Sequence, residues 1–188
     1  MQNTRKVFRK VTLLASSIAT IAAVFITANE IPDREPPQQV ITVIEDPVSK
    51  LTSFDHKQIA CLAQNMYFEA RNQTDEGIRA VGFVTLNRLK SGDFANTVCN
   101  VVHERNVPHS RNKCQFSWYC DSKENIIDDP VAWSHVYALA INIYMYYNKM
   151  SDVTGGATYY HAKHAKPEWQ NEFRRTTMID DHIFYVKD

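Results

Sequence analysis

The sequence predicts an α+β domain, mainly α, with a small β-sheet in its C-terminal part. Two observations predict it. Apolar residues recur at three- and four-residue spacing through long stretches between residues 51 and 150, and strand-like alternation is confined to the last forty residues. At 188 residues the chain fits one domain with a real core, and no internal repeat is visible.

The N-terminal thirty residues stand apart. Arg5, Lys6, Arg9 and Lys10 precede an uncharged run from Val11 to Ala28, and Glu30 is the first acidic residue. This is the layout of an export segment, so residues 1–29 are expected to be a signal peptide or signal anchor. The run is near the lower limit for spanning a bilayer and is only weakly apolar, so a cleaved signal, a retained anchor in the inner membrane and a slowly released anchor all fit. A buried core helix would leave the charge step without a role. Residues 30–50 carry four prolines and an acidic excess, the composition of a linker. The folded part, 51–188, is expected to begin near Leu51.

In that part, Ser53 or Asp55 can cap a helix running to about Gln73, with Ile59, Leu62, Ala63, Met66, Tyr67 and Ala70 on one apolar stripe. A second helix is expected from Asp75 to Lys90, with Ile78, Val81, Gly82, Thr85 and Leu89 inward and a glycine on that face for close approach of another backbone. A short helix around Phe94 to Val102 precedes a polar loop. Asp129 and Pro130 then start a third long helix, whose stripe is Trp133, Val136, Tyr137, Ala140, Ile143, Tyr144 and Tyr147. After Gly155 and Gly156, "TYYH" and "HIFYV" are strand candidates.

Charge is balanced, 21 basic against 21 acidic residues, which gives no footprint for nucleic acid. Four cysteines, Cys61, Cys99, Cys114 and Cys120, follow the export segment, and in an exported chain an even count favours disulfides. Three pairings are open; Cys61 with Cys99 and Cys114 with Cys120 is the favoured one.

Glu69 poses the functional question. Seven positions after Leu62, it points within about 20° of that residue, at the edge of the apolar stripe. A carboxylate there is partly desolvated, which raises its pKa and suits a general acid. An ion pair with Arg71 or Arg88 is the competing structural explanation.

The blocks "CLAQNMYFEAR", "AVGFVTLNRLKSGDFANTVCNVV", "CQFSWYC", "GGATYYH" and "HIFY", in this order, resemble the SleB/CwlJ family of cell-wall hydrolases over about Ile59 to Tyr185. Similar domains serve as bacteriophage endolysins. The resemblance implies a lysozyme-like fold acting on peptidoglycan glycan strands. With the export segment, the expected location is the periplasm or cell envelope, and the expected enzyme is a monomer with no cofactor and no metal. It also implies that Glu69, in the Y-x-E-A motif, is the general acid. Asn72 and Ala95 depart from the family pattern, in which a glycine and a proline are usual.

Such an acid would protonate the glycosidic oxygen between N-acetylmuramic acid and N-acetylglucosamine. Attack by the muramic 6-hydroxyl makes a lytic transglycosylase with one carboxylate; attack by water makes a muramidase that usually needs a second. Asp75, Glu76, Glu104 and Asp121 are the candidates, none singled out by a motif, which tilts the expectation towards the transglycosylase. Sugar contacts are expected from Gln115, Ser117, Tyr159, Tyr160 and His161, with Phe116 and Trp118 equally suited to core packing. A zinc amidase or peptidase using His161, His164 and His182 or Asp181, a cysteine peptidase, and a non-catalytic wall-binding protein are the rival classes.

Overall fold

In a computed structural model, the described residues are 46–105 and 114–188. The export segment and the linker up to residue 45 therefore lie outside the described residues. A short 3₁₀ turn, Pro47–Lys50, capped by Asp46, leads into the first helix.

Helix α1 spans Ser53–Ala70. Its cap is Thr52, not Ser53 or Asp55: the Thr52 hydroxyl accepts from Asp55 N at 3.2 Å while the Asp55 carboxylate accepts from Thr52 N at 2.9 Å. This reciprocal box satisfies two helix-end donors at once. Helix α2, Asp75–Ser91, is capped by Thr74 and stopped by Gly92, whose φ of 77° suits the left-handed end of a helix. Helix α3 is shorter than expected, Val98–Val102, because Thr97 rather than an earlier residue supplies the cap. Helix α4, Pro130–Tyr146, starts as the sequence predicts, with the Asp129 carboxylate accepting from Val131 N and Ala132 N.

Strands β1 (Tyr159–Ala162), β2 (Arg174–Ile179) and β3 (His182–Val186) form an antiparallel sheet in the order β1-β3-β2. Strand β2 has no counterpart in the sequence expectation. "RRTTMI" lies on the sheet edge and buries only Ile179, so its apolar alternation is too weak to detect. The β2–β3 turn is docked on α2, because Asp180 accepts from Thr74 N at 2.9 Å and from the Thr74 hydroxyl at 2.7 Å.

Two core clusters lie on either side of α2. Ile78 and Val81 pack with α1, α3 and α4, whereas Ala80 and Val84 pack with Ala157, Ile179 and Phe184 of the sheet region. The sequence reading found only the first face, since a helix covered on both sides loses the polar half that makes a stripe visible. Gly82 makes room for side chains rather than a backbone: a Cβ there would lie 2.9 Å from Ile143 Cδ1 and 3.1 Å from Met66 Sδ. Disulfides join Cys61 to Cys99, stapling α1 to α3, and Cys114 to Cys120.

Candidate active site

The last turns of α1 and α2 bring Glu69 and Arg88 to one cleft of about 270 Å³. Gln115, Phe116 and Ser117 form another wall, and Tyr160, His161, Ala162 and His182 border it from the sheet. Buried Asn65 helps to hold that wall in place. One helical turn before Glu69, its Oδ1 accepts from Trp118 Nε1 at 2.9 Å and its Nδ2 donates to the Thr85 hydroxyl at 3.0 Å. Trp118 also stacks on Phe68, with ring centroids 4.7 Å apart. Asn65 thereby ties the "QFSW" turn, α1 and α2 together next to the acid.

The sheet side is fixed by the adjacent pair Asn87 and Arg88. Asn87 Nδ2 donates to Asp152 and to Ala157 O, and Arg88 Nε donates to Thr158 O at 2.7 Å. These bonds anchor the glycine-containing loop that delivers β1 to the cleft. Gly155 and Gly156 adopt positive φ, and Asp152 accepts from the backbone N of Thr154 and Gly156.

Glu69 is half-buried, and the Tyr160 hydroxyl donates to its Oε2 at 2.9 Å. Desolvation pushes its pKa up; the Tyr160 hydrogen bond and the charge of Arg88 work in the other direction without cancelling it. Burial beside Glu69 raises the Tyr160 pKa well above its usual value, so Tyr160 stays a neutral donor. Burial likewise lowers the His182 pKa, favouring the uncharged imidazole. The acid thus faces neutral hydrogen-bonding groups and one guanidinium.

Neither arginine forms an ion pair with Glu69. Arg71 instead lies over the Tyr67 ring and 3.9 Å from Asp128. The other weighed acids are elsewhere: Asp75 pairs with His135, Glu76 is exposed, and Asp121 is an exposed residue that accepts from Lys123 N. Glu104 does not line the cleft.

Of the predicted sugar contacts, Gln115, Ser117, Tyr160 and His161 border the Glu69 cleft and Tyr159 does not. Side chains alternate along a strand, so Tyr159 lies on the face opposite Tyr160, while His161, on the face of Tyr159, still borders the cleft. Tyr159 packs on Phe173 and Trp169 and borders a larger cavity of about 570 Å³. The carboxylates of that cavity are exposed Asp93 and loop-bound Asp152, neither poised as Glu69 is. The His161 ring packs on Tyr185, its Nδ1 donating to Ala162 O and its Nε2 hydrogen-bonded to the Tyr185 hydroxyl at 3.0 Å. Both nitrogens are thus engaged, His164 is exposed, and among the described residues no group of three His, Cys, Asp or Glu is placed to hold a metal. Phe116 and Trp118 are buried, the former still touching the cleft.

Sequence reasoning missed Asn65, and treated Arg88 only as an ion-pair partner and His182 only as a metal ligand. A buried asparagine four residues before the glutamate, on the same helical face, was the available signal.

The chain is similar to the catalytic domain of the germination-specific lytic transglycosylase SleB from Bacillus anthracis, at 27% identity over 73% of this chain and 98% of that one, with a TM-score of 0.51. It is also similar to the catalytic domain of the Bacillus cereus SleB protein, at 27% identity over 70% of this chain and 91% of that one, with a TM-score of 0.50. No curated protein matches. The cell wall hydrolase family matches residues 72–185, starting just after Glu69. By that match and the shared lysozyme-like fold, the chain belongs to the cell wall hydrolase family, as a peptidoglycan-cleaving enzyme of the SleB/CwlJ type.

Proposed function

We propose that this enzyme is a lytic transglycosylase in which Glu69 acts first as general acid and then as general base. One observation carries the reading: Glu69 is the only carboxylate bordering its cleft among the described residues. The internal segment 106–113 adds none, since its sequence contains no Asp or Glu.

Tyr160 holds Oε2, which leaves Oε1 to carry the transferable proton. Protonated Glu69 donates to the bridging oxygen as the bond to muramic C1 breaks and positive charge develops on the ring. The muramic 6-hydroxyl then attacks C1, and its proton returns to Glu69. The product is a 1,6-anhydro sugar, and no water is consumed. The raised pKa serves the first step, and the tyrosine and arginine serve the second by keeping the carboxylate accessible. The SleB neighbour from Bacillus anthracis is itself described as a lytic transglycosylase.

Mass spectrometry of soluble products from purified peptidoglycan tests this, with Glu69→Gln alongside. Anhydromuropeptides made by the parent and absent from the variant are expected. Reducing-end muramic acid would mean a muramidase and turn attention to Glu104, whose half-buried carboxyl has an oxygen with no partner among the described residues. Cut stem peptides on intact glycan would overturn the reading.

The N-terminal segment supports a second, separate proposal: residues 11–28 tether a monomeric enzyme to the inner membrane and release it later, as in signal-anchor endolysins. Among the described residues no helix is long and apolar enough to cross a membrane, and this segment is outside them. Full-length protein leaving the membrane fraction when the potential is collapsed is the expected result; persistence there would refute release.

A further inference from the structure

Arg88 presents a hydrogen-bond donor that its own fold does not use. The residue is 4% exposed, and Nε is committed to Thr158 O. The guanidinium lies 4.7 Å from the Phe116 ring centroid and 5.1 Å from that of Phe94, which fixes its plane. Nη1 is buried, and among the described residues it has no acceptor and no carboxylate forms an ion pair with this side chain. Native structures leave few buried donors unpaired, and each one calls for an explanation such as a bound water or ligand. Arg88 also lines the cleft beside Glu69.

Resting on the glycan-cleaving reading above, we propose that Arg88 is a substrate-binding residue whose Nη1 donates to a carbonyl or carboxylate oxygen of the sugar held next to Glu69. A guanidinium fixed in one plane favours a planar oxygen acceptor over a hydroxyl. Two groups on the glycan offer that chemistry: the 2-acetamido carbonyl of either sugar, and the lactyl carbonyl or carboxylate of muramic acid. Lysine is a poor replacement here, because its single ammonium lacks the planar fork that sets one donor on Thr158 O and a second at a fixed distance from it. The rival explanation is a water held between Nη1 and Glu104, whose Oε2 is also buried without a partner and whose charge acts on Arg88.

Calorimetric titration of the full, disulfide-intact chain carrying Glu69→Gln, which prevents turnover, tests the proposal. The probes are N-acetylglucosamine tetramers, with acetamido groups only, and soluble peptidoglycan glycan fragments, which add lactyl groups. Adding Arg88→Lys is expected to weaken binding about tenfold to a hundredfold, the range for a hydrogen bond to a charged group. Equal loss on both probes identifies the acetamido carbonyl; loss confined to the lactyl-bearing fragments identifies the lactyl group. Unchanged affinity in a variant with the parental unfolding midpoint overturns the proposal and leaves the water to Glu104. Nitrogen NMR of Arg88 in the Glu69→Gln chain gives the same decision without touching Arg88: its Nη signals must move when either probe saturates the protein, and unmoved signals overturn the proposal. If peptidoglycan is still cleaved by the parent, only the Arg88 assignment has failed. If the parent neither binds the fragments nor cleaves glycan, the glycan reading fails and takes the assignment with it.

Discussion

Replacing both Cys61 and Cys99 with alanine should cost several kcal/mol while leaving the native structure in place. The bridge spans a sequence separation of 38 residues. In the chain-entropy treatment, closing such a loop removes about 13 cal/mol/K from the unfolded state, or about 3.9 kcal/mol at 25 °C. The native side should change little, because both cysteines are buried and Cys99 N keeps its 3.0 Å bond to the Gln58 side-chain Oε1. Helix α3 therefore stays in register against α1. For a domain of this size the loss corresponds to a fall of roughly 10–20 °C in unfolding midpoint. Urea unfolding followed by circular dichroism, with calorimetry at the same pH, measures both quantities. A loss below about 1 kcal/mol at unchanged denaturant slope would refute the reasoning, because the unfolded chain would then be equally restricted without the bridge.

Other consequences concern the cleft. Tyr160→Phe removes the hydrogen bond that lowers the Glu69 pKa, so the protonated acid persists to higher pH and the alkaline limb of the pH–rate profile should move up; a limb that stays put or moves down would contradict the assigned direction. Asn65→Ala leaves the Trp118 N–H without its acceptor, and should cost about 1–3 kcal/mol in stability and lower kcat/KM as the Gln115–Ser117 wall loosens. Unfolding curves read with peptidoglycan-clearing rates would check both effects. The Glu69→Gln variant offers a linkage test. Folding raises the Glu69 pKa, so folding favours the protonated form, and the carboxylate's penalty is absent below the unfolded value and grows as pH rises towards the folded one. The variant should gain stability over the parent at about pH 8 and lose that gain near pH 4. An equal difference at both would deny that burial acts on this carboxyl.

Local signals were legible where the chemistry is local. Asp129 and Pro130 announce α4 because a carboxylate accepting from the next turn and a proline lacking an N–H need only adjacent residues. Glu69 was legible for a related reason, since helical periodicity alone puts it on the edge of an apolar stripe. The resemblance also included "QFSW" and "TYYH", of which Gln115, Phe116, Ser117, Tyr160 and His161 border the Glu69 cleft, but it could not separate Tyr159 from Tyr160. That separation is tertiary: pairing with β3 turns Tyr159 and Tyr160 to opposite faces of β1, and Tyr159 is then taken up by Trp169 and Phe173.

By itself the sequence determined the helices, their main apolar face and the place of Glu69 at the edge of that face, because each depends on spacings of a few residues along one element. Tertiary structure alone decided the environment of that acid. Arg88 is 19 positions from Glu69 and Tyr160 is 91 positions from it, and they meet only because α2 is packed between the helices and the sheet. Desolvation, the tyrosine hydrogen bond and the unpaired guanidinium arise from that packing, and no periodicity in one chain segment encodes them.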